Sequence, residues 1–425
     1  MKKTWKMLSA MLITTAMVGA LAMAPAGAAE KTYSGLVAEP TSPTIAFDKY
    51  LVMETTTQVP NATFKFTLSS VAADATLGTT AGILEGVKYN NATSAANQVT
   101  CSFDTDSTTY TTVQGADGLT LTDGWKYAKD SMTLDFSGVA FTEPGIYAYK
   151  LTEDVSGTGS AAIGGTERYL YVYVEDATTV DATLGEINKL DIKKCILTTV
   201  SNSLAADIAK SKGFTNQYPA CTLTFGKEVT GNQGSRDKFF KFTVKVTGAT
   251  ISDNDLFNVD KTYAVAEPAG NSATTYTSDA MKAANNVNTL TGAQLKAGYD
   301  FYLQDGNYIT IVGIPENYNY EVTEAAEDYT GTATITAANS SLDWDSTVDG
   351  ADALADAASG SNISADIHTG FTNDKTGTIP TGVLMSVGPV VIVGLIVAGG
   401  IVFLAVRNTK RKAMEAAEAD SDIEE

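Results

Sequence analysis

Between residues 40 and 375 apolar positions recur at a spacing of two, as in Arg168-Tyr-Leu-Tyr-Val-Tyr-Val-Glu175, and Gly, Asn, Asp and Pro punctuate the runs. Alternation of this kind, in segments rich in Thr, Val and Tyr, predicts short strands that each turn one face to a core, and hence an all-β sandwich architecture. Helical spacing is confined to short stretches near Ser278 to Asn285 and Ala351 to Ala358, either of which could equally be a loop.

The two ends depart from this pattern. Lys2, Lys3 and Lys6 precede an apolar run from Met7 to Met23 and then the small residues Ala26, Gly27, Ala28 and Ala29. This is the layout of a signal peptide over residues 1–29, cut after Ala28 or Ala29. Residues 376–425 contain an uncharged stretch, 383–406, long enough to cross a bilayer as a helix, and Arg407, Lys410, Arg411 and Lys412 behind it mark the cytoplasmic side. Directly before it stand Ile379, Pro380, Thr381 and Gly382. These four resemble an LPXTG-like sorting signal, the substrate of a sortase of Gram-positive cell surfaces, with the scissile bond between Thr381 and Gly382. The familiar signal has one residue between Pro and Thr. Here there is none, as in the variant used by one class of pilin.

Within the middle, four short patterns recur in the same order. They are Phe47-Asp-Lys49, Phe64-Lys-Phe-Thr-Leu68, Tyr147-Ala-Tyr-Lys-Leu-Thr-Glu153 and Phe214-Thr-Asn216, then Phe225-Gly-Lys227, Phe240-Lys-Phe-Thr-Val244, Tyr318-Asn-Tyr-Glu-Val-Thr-Glu324 and Phe371-Thr-Asn373. Such a repeat predicts two tandem domains of one kind, 40–218 and 219–375, with a short stiff junction at Gln217 to Ala220.

Strand periodicity then places polar residues on apolar faces. Ile45, Phe47, Lys49 and Leu51 share one side of a strand, with Asp48 and Tyr50 on the other, and Leu223, Phe225, Lys227 and Val229 repeat the arrangement. Glu153 and Glu324 continue the Tyr-x-Tyr faces, and Asn216 and Asn373 each follow a Phe by two. Each domain is therefore expected to bury a Lys, a Glu and an Asn. Burial without compensation is costly, so the groups either form satisfied pairs or react.

Composition narrows the chemistry. The chain of 425 residues carries a net charge of −20 with 29 basic residues, which offers no footprint for a phosphate backbone, and nucleic acid is not expected as a partner. One histidine, His368, leaves no Ser-His-Asp triad and no His-rich metal site, and neither a His-Glu-x-x-His motif nor a phosphate loop is present. A turnover enzyme is disfavoured, and no cofactor or metal is expected. Of the three cysteines, Cys101 and Cys195 could pair within the first domain, and Cys221 reads as a small buried hydrophobe.

Taken together, the two triplets, the segment Phe141-Thr-Glu-Pro-Gly-Ile-Tyr-Ala-Tyr-Lys-Leu-Thr-Glu153, the two Phe-Thr-Asn ends and the Ile-Pro-Thr-Gly anchor resemble the Gram-positive sortase-assembled major pilins of the FctA-like type. That resemblance implies tandem Ig-like, CnaB-type sandwiches with self-formed isopeptide bonds joining Lys49 to Asn216 and Lys227 to Asn373, assisted by Glu153 and Glu324. Desolvation favours the uncharged lysine amine, which attacks the asparagine carbonyl, and the glutamate polarises that carbonyl and moves the proton. Each domain reacts once, on itself.

The resemblance also implies a structural role. The protein is expected on the surface of a Gram-positive bacterium, secreted and anchored to the cell wall. A pilin-specific sortase would join Thr381 to a lysine of an identical subunit, the shaft would attach to peptidoglycan or a basal pilin, and a host surface is a possible outer partner. In the resembled pilins the acceptor lysine lies shortly before the last strand of the first domain, where this chain has Lys210 and Lys212, in that order of preference. The alternative is a monomeric cell-wall-anchored adhesin or an accessory pilin with the same fold.

Overall fold

A computed structural model describes residues 28–30, 43–72, 83–87, 89, 98–177, 179–181, 185–187, 190–201, 210–262, 278–337, 351–353 and 357–377. The first sandwich contains β1 (Thr44–Glu54), β2 (Ala62–Ser70), β3 (Gln98–Phe103), β4 (Trp125–Asp135), β5 (Gly145–Asp154), β6 (Ala161–Ile163), β7 (Glu167–Asp176), β8 (Leu190–Thr198) and β9 (Gly213–Gln217). One sheet has the order β6-β9-β1-β4, with Thr109–Tyr110 beyond β4, and the other has the order β8-β7-β5-β2-β3.

The second sandwich contains β10 (Ala220–Thr230), β11 (Phe240–Thr247), β12 (Leu256–Thr262), β13 (Tyr299–Leu303), β14 (Tyr308–Pro315), β15 (Tyr318–Glu324), β16 (Thr330–Ala337), β17 (Ala357–Ile363) and β18 (Ile367–Asp374). Its sheets run β12-β14-β10-β18-β16 and β13-β11-β15-β17, with short edge strands at Thr289–Thr291 and Ala351–Ala353.

In both sandwiches the first long strand pairs in parallel with the last, β1 with β9 and β10 with β18. Parallel terminal strands bring the chain in at one end of a domain and out at the other, so tension along the chain loads the pair in shear.

The cores are aromatic where these strands meet the opposite sheet. Phe47, Phe66 and Phe214 touch with ring centroids 4.9 to 6.1 Å apart, and Phe225, Phe242 and Phe371 form the corresponding group, with Phe242 5.9 Å from Phe225 and 5.2 Å from Phe371. All six rings are buried.

Several sequence expectations need adjustment. Tyr50, assigned to the polar face of β1, is buried because Val52, Leu119, Trp125 and Tyr127 form a second apolar cluster on the outside of that sheet. Its hydroxyl donates to Asp48 at 2.8 Å and accepts from the Gly118 N–H at 2.9 Å. The stretch at Ser278 is helical: α1 (Asp279–Asn285) starts at an N-cap formed by Ser278. The stretch at Ala351 is not, since Ala351–Ala353 pairs with β17 and β17 pairs with β15.

A further helix, α2 (Gly292–Ala297), was not expected, although Thr291 and Gln294 form a capping box at its start. Cys101 and Cys195 cannot pair, because they sit on β3 and β8, the opposite edges of one sheet, four strand spacings or about 19 Å apart. Cys221 is buried in the second core.

Candidate functional site

Alternation along β1 turns Lys49 inward between Phe47 and Leu51, and the residue is fully buried. In the parallel register Phe214 faces Lys49 and Asn216 faces Leu51, so Asn216 lies two residues further along on the same face. A strand spacing combined with two residues of rise separates the two Cα atoms by about 8 Å, a gap that an extended lysine stem spans. Glu153 arrives from the other sheet, on β5 opposite Phe66. Its Oε1 lies 2.6 Å from Lys49 Nζ, and both side chains are closed to solvent.

The second sandwich repeats this arrangement. Lys227 faces Phe371, Val229 faces Asn373, and Glu324 on β15 stands opposite Phe242. Lys227 Nζ is 2.8 Å from Glu324 Oε1 and donates to the Phe371 carbonyl at 3.2 Å. Asn373 donates its amide to Glu324 Oε1 at 2.8 Å. The sequence-predicted Lys, Glu and Asn are thus brought together in each core.

Apart from the glutamate, and for Lys227 the Phe371 carbonyl, an aromatic ring flanks each amine. Lys49 Nζ lies 4.3 Å from the centroid of Phe64, and Lys227 Nζ lies 4.6 Å from that of Phe240. Burial pushes each lysine down to about 8, against the opposing pull of its glutamate. Near Lys49 the Arg168 guanidinium adds a smaller push in the same direction as burial.

Lys49 and Glu153 satisfy each other as a 2.6 Å pair, whereas Glu153 Oε2 and Asn216 Oδ1 are buried without a hydrogen bond, as is Asn373 Oδ1 in the second domain. Each atom so stranded costs on the order of 1–3 kcal/mol. An amide linking amine to carbonyl would remove the desolvated amine from the core.

Arg168 was not singled out in the sequence as more than a strand residue. It is fully buried, donates through Nε to the Gly213 carbonyl at 2.9 Å, and places its guanidinium carbon 4.7 Å from the Phe214 centroid. It thereby clamps the start of β9, the strand that carries Asn216. An arginine beginning a run of alternating aromatics is the one hint its sequence offered.

Residues 45–219 match the FctA family model, a Spy0128-like isopeptide containing domain, and residues 221–375 match a domain of unknown function, DUF7601. A pilin of Streptococcus pyogenes serotype M1 is 25% identical over 288 residues, which cover 63% of this chain and 69% of that protein. The first domain is thus similar to the isopeptide containing domain of the FctA model, and the chain to a streptococcal pilin. The crystal structure of the major pilin from Streptococcus pyogenes aligns with a TM-score of 0.51 at 18% identity, over 79% of this chain and 99% of that one, and so shares the fold.

Two groups of expected residues fall elsewhere. Ile379, Pro380, Thr381 and Gly382 lie outside the described residues, together with the apolar stretch 383–406 and residues 1–27. Of the lysines before β9, Lys210 is only 7% exposed, whereas Lys212 is half-buried and its amine, at the surface, donates to the Ala116 carbonyl.

Proposed function

We propose that this protein is the backbone subunit of a surface pilus whose two domains, 40–218 and 219–375, are each welded by one self-formed Lys-Asn amide. The observation that carries the reading is the duplication. Both sandwiches bring together a buried lysine, a glutamate from the facing sheet and an asparagine on the adjacent parallel strand, two residues out of register.

In each domain the uncharged amine attacks the asparagine Cγ. The Nζ–Cγ bond forms, the Cγ–Nδ2 bond breaks, and one Nζ proton passes through the glutamate to the departing nitrogen, which leaves as ammonia. Folding supplies the proximity, worth effective molarities of about 10⁵ M or more. The bond closes a loop spanning nearly a whole domain, which the chain-entropy view values at about 5 kcal/mol. It also replaces a shear-loaded hydrogen-bonded pair by a covalent connection.

Polymerisation runs through a sortase that cleaves between Thr381 and Gly382 and passes the Thr381 acyl group to Lys212 of the next subunit. Two experiments test the reading. Digestion of the full chain and mass mapping should give two cross-linked peptides, Lys49–Asn216 and Lys227–Asn373, each one ammonia lighter than its parts. Immunoblots of cell-wall extracts should show a ladder of high-mass species. A single band would instead identify a wall-anchored monomer.

A further inference from the structure

We propose that Ser160 holds the leaving nitrogen of Asn216 and orients its amide for attack, an aid that the second domain lacks. The inference rests on the cross-linking reading above and names a further residue for it.

The turn that follows Glu153 reads Asp-Val-Ser-Gly-Thr-Gly-Ser160, and Gly157 and Gly159 both adopt positive φ, at 72° and 65°. That backbone turns Thr158 inward, where it is buried, and delivers Ser160 to the start of β6. Because Ala162 pairs with Asn216, Ser160 lies two residues away from that position on the same face.

A chain of hydrogen bonds then has only one consistent polarity. The Val155 carbonyl accepts and cannot donate, so the Thr158 hydroxyl at 2.8 Å spends its single proton there. Thr158 Oγ1 can then only accept from the Ser160 hydroxyl, 2.9 Å away, as it does from the Ser160 N–H at 3.3 Å. With its proton committed, Ser160 Oγ must accept from the group that faces it on Asn216, at 3.2 Å. That group is therefore the NH2 and not the carbonyl oxygen.

Fixing the nitrogen toward Ser160 turns Oδ1 away from it. Ser160 is itself half-buried rather than sealed, so the departing ammonia is released on the side nearest solvent. In the second domain Asn373 gives its amide to Glu324, and the matching place, two residues before the Gly331 that pairs with Asn373, holds Tyr329, whose hydroxyl accepts from the Ser235 N–H at 3.0 Å instead.

The test uses the full-length chain, pulse-labelled in cells, quenched at intervals, digested and mapped, so that each cross-link is timed separately in the same molecules. Ser160→Ala should slow the Lys49–Asn216 bond about tenfold, the worth of one hydrogen bond, and leave the Lys227–Asn373 bond at its normal rate. Thr158→Val, which removes the group that sets the polarity, should slow the same bond selectively. Ser160→Thr, which keeps the hydroxyl, should restore it.

Equal rates for Ser160→Ala and the unaltered chain overturn the proposal, as does a Ser160→Thr chain as slow as Ser160→Ala. Should the first domain of Ser160→Ala be protease-sensitive, the pair Thr158→Val and Ser160→Thr decides, and normal closure in Thr158→Val overturns the idea. An unaltered chain that yields no Lys49–Asn216 peptide sinks the cross-linking reading itself, a different result from unchanged kinetics in the variants.

Discussion

Lys49 and Asn216 stand on neighbouring parallel strands two residues out of register, and Lys227 and Asn373 repeat that offset in the second domain. The offset matters because directly opposed residues on a shared face crowd each other, whereas a two-residue diagonal leaves room for an extended lysine stem to lie between them. An amide closing the diagonal would let force bypass the chain between the two bonded residues.

Removing members of one triad should therefore cost unequal amounts. Asn216→Ala loses the cross-link, about 5 kcal/mol, but keeps the buried Lys49–Glu153 pair. Glu153→Ala loses the cross-link and in addition leaves Lys49 alone in the core, a further 3–5 kcal/mol or so. Thermal melts with trypsin digestion should rank the unaltered chain above Asn216→Ala and that above Glu153→Ala. A Glu153→Ala chain that still loses two ammonia molecules would remove the glutamate from the chemistry.

Much of this site was legible beforehand, because strand periodicity is a local property: Phe-x-Lys and Phe-Thr-Asn each declare which residue turns inward without knowledge of any partner. The features that are not local depend on tertiary placement. Tyr50 was assigned to solvent, since nothing adjacent in sequence announces that Leu119, Trp125 and Tyr127 will cover that face. Ser160 sits in a turn, where no periodicity applies, and Arg168 looks like any strand-edge cation until its guanidinium is seen against Phe214. Lys210 was preferred over Lys212 by position alone, and only packing distinguishes them.

pH dependence offers a check on the buried amine. In an Asn373→Ala chain Lys227 stays titratable, with its value lowered from 10.5 to about 8 chiefly by burial. Between those values the unfolded chain holds a proton that the folded one has released, so stability rises with pH across the window and is lost as pH falls toward 8. The cross-linked chain has no such titrating group at position 227. Urea midpoints at pH 8 and 9.5 should increase more for Asn373→Ala than for the unaltered protein, and parallel changes would mean that Lys227 is not desolvated before it reacts.

Pilus assembly distinguishes the two candidate acceptors. Lys212→Ala should abolish the high-mass ladder while both internal cross-links form normally. Lys210→Ala should leave the ladder intact but lower the stability of the first domain, since Lys210 is buried and bridges to Thr198. A ladder that survives Lys212→Ala and vanishes in Lys210→Ala reverses the assignment.

Force passes between domains as well as through them, and Asp255 is placed to transmit it. Although 3% exposed, its carboxylate accepts from the Asn61 N–H at 2.7 Å and the Asn61 side-chain amide at 3.1 Å through Oδ1, and from the Ser252 N–H at 2.6 Å through Oδ2. Asn61 lies just before β2 of the first domain and Ser252 just before β12 of the second, so one side chain ties two loops together across the boundary. Gln58 and Asn258 add a 2.8 Å hydrogen bond alongside. Asp255→Ala strands three donors at a buried boundary, at a cost of about 1–3 kcal/mol for each that finds no water. Neither triad is touched, so peptide mapping should recover both cross-links at normal yield. Small-angle scattering should report a broader spread of interdomain distances than in the unaltered chain. Scattering curves that superimpose would show that the junction at Gln217 to Ala220 fixes the domain angle without Asp255.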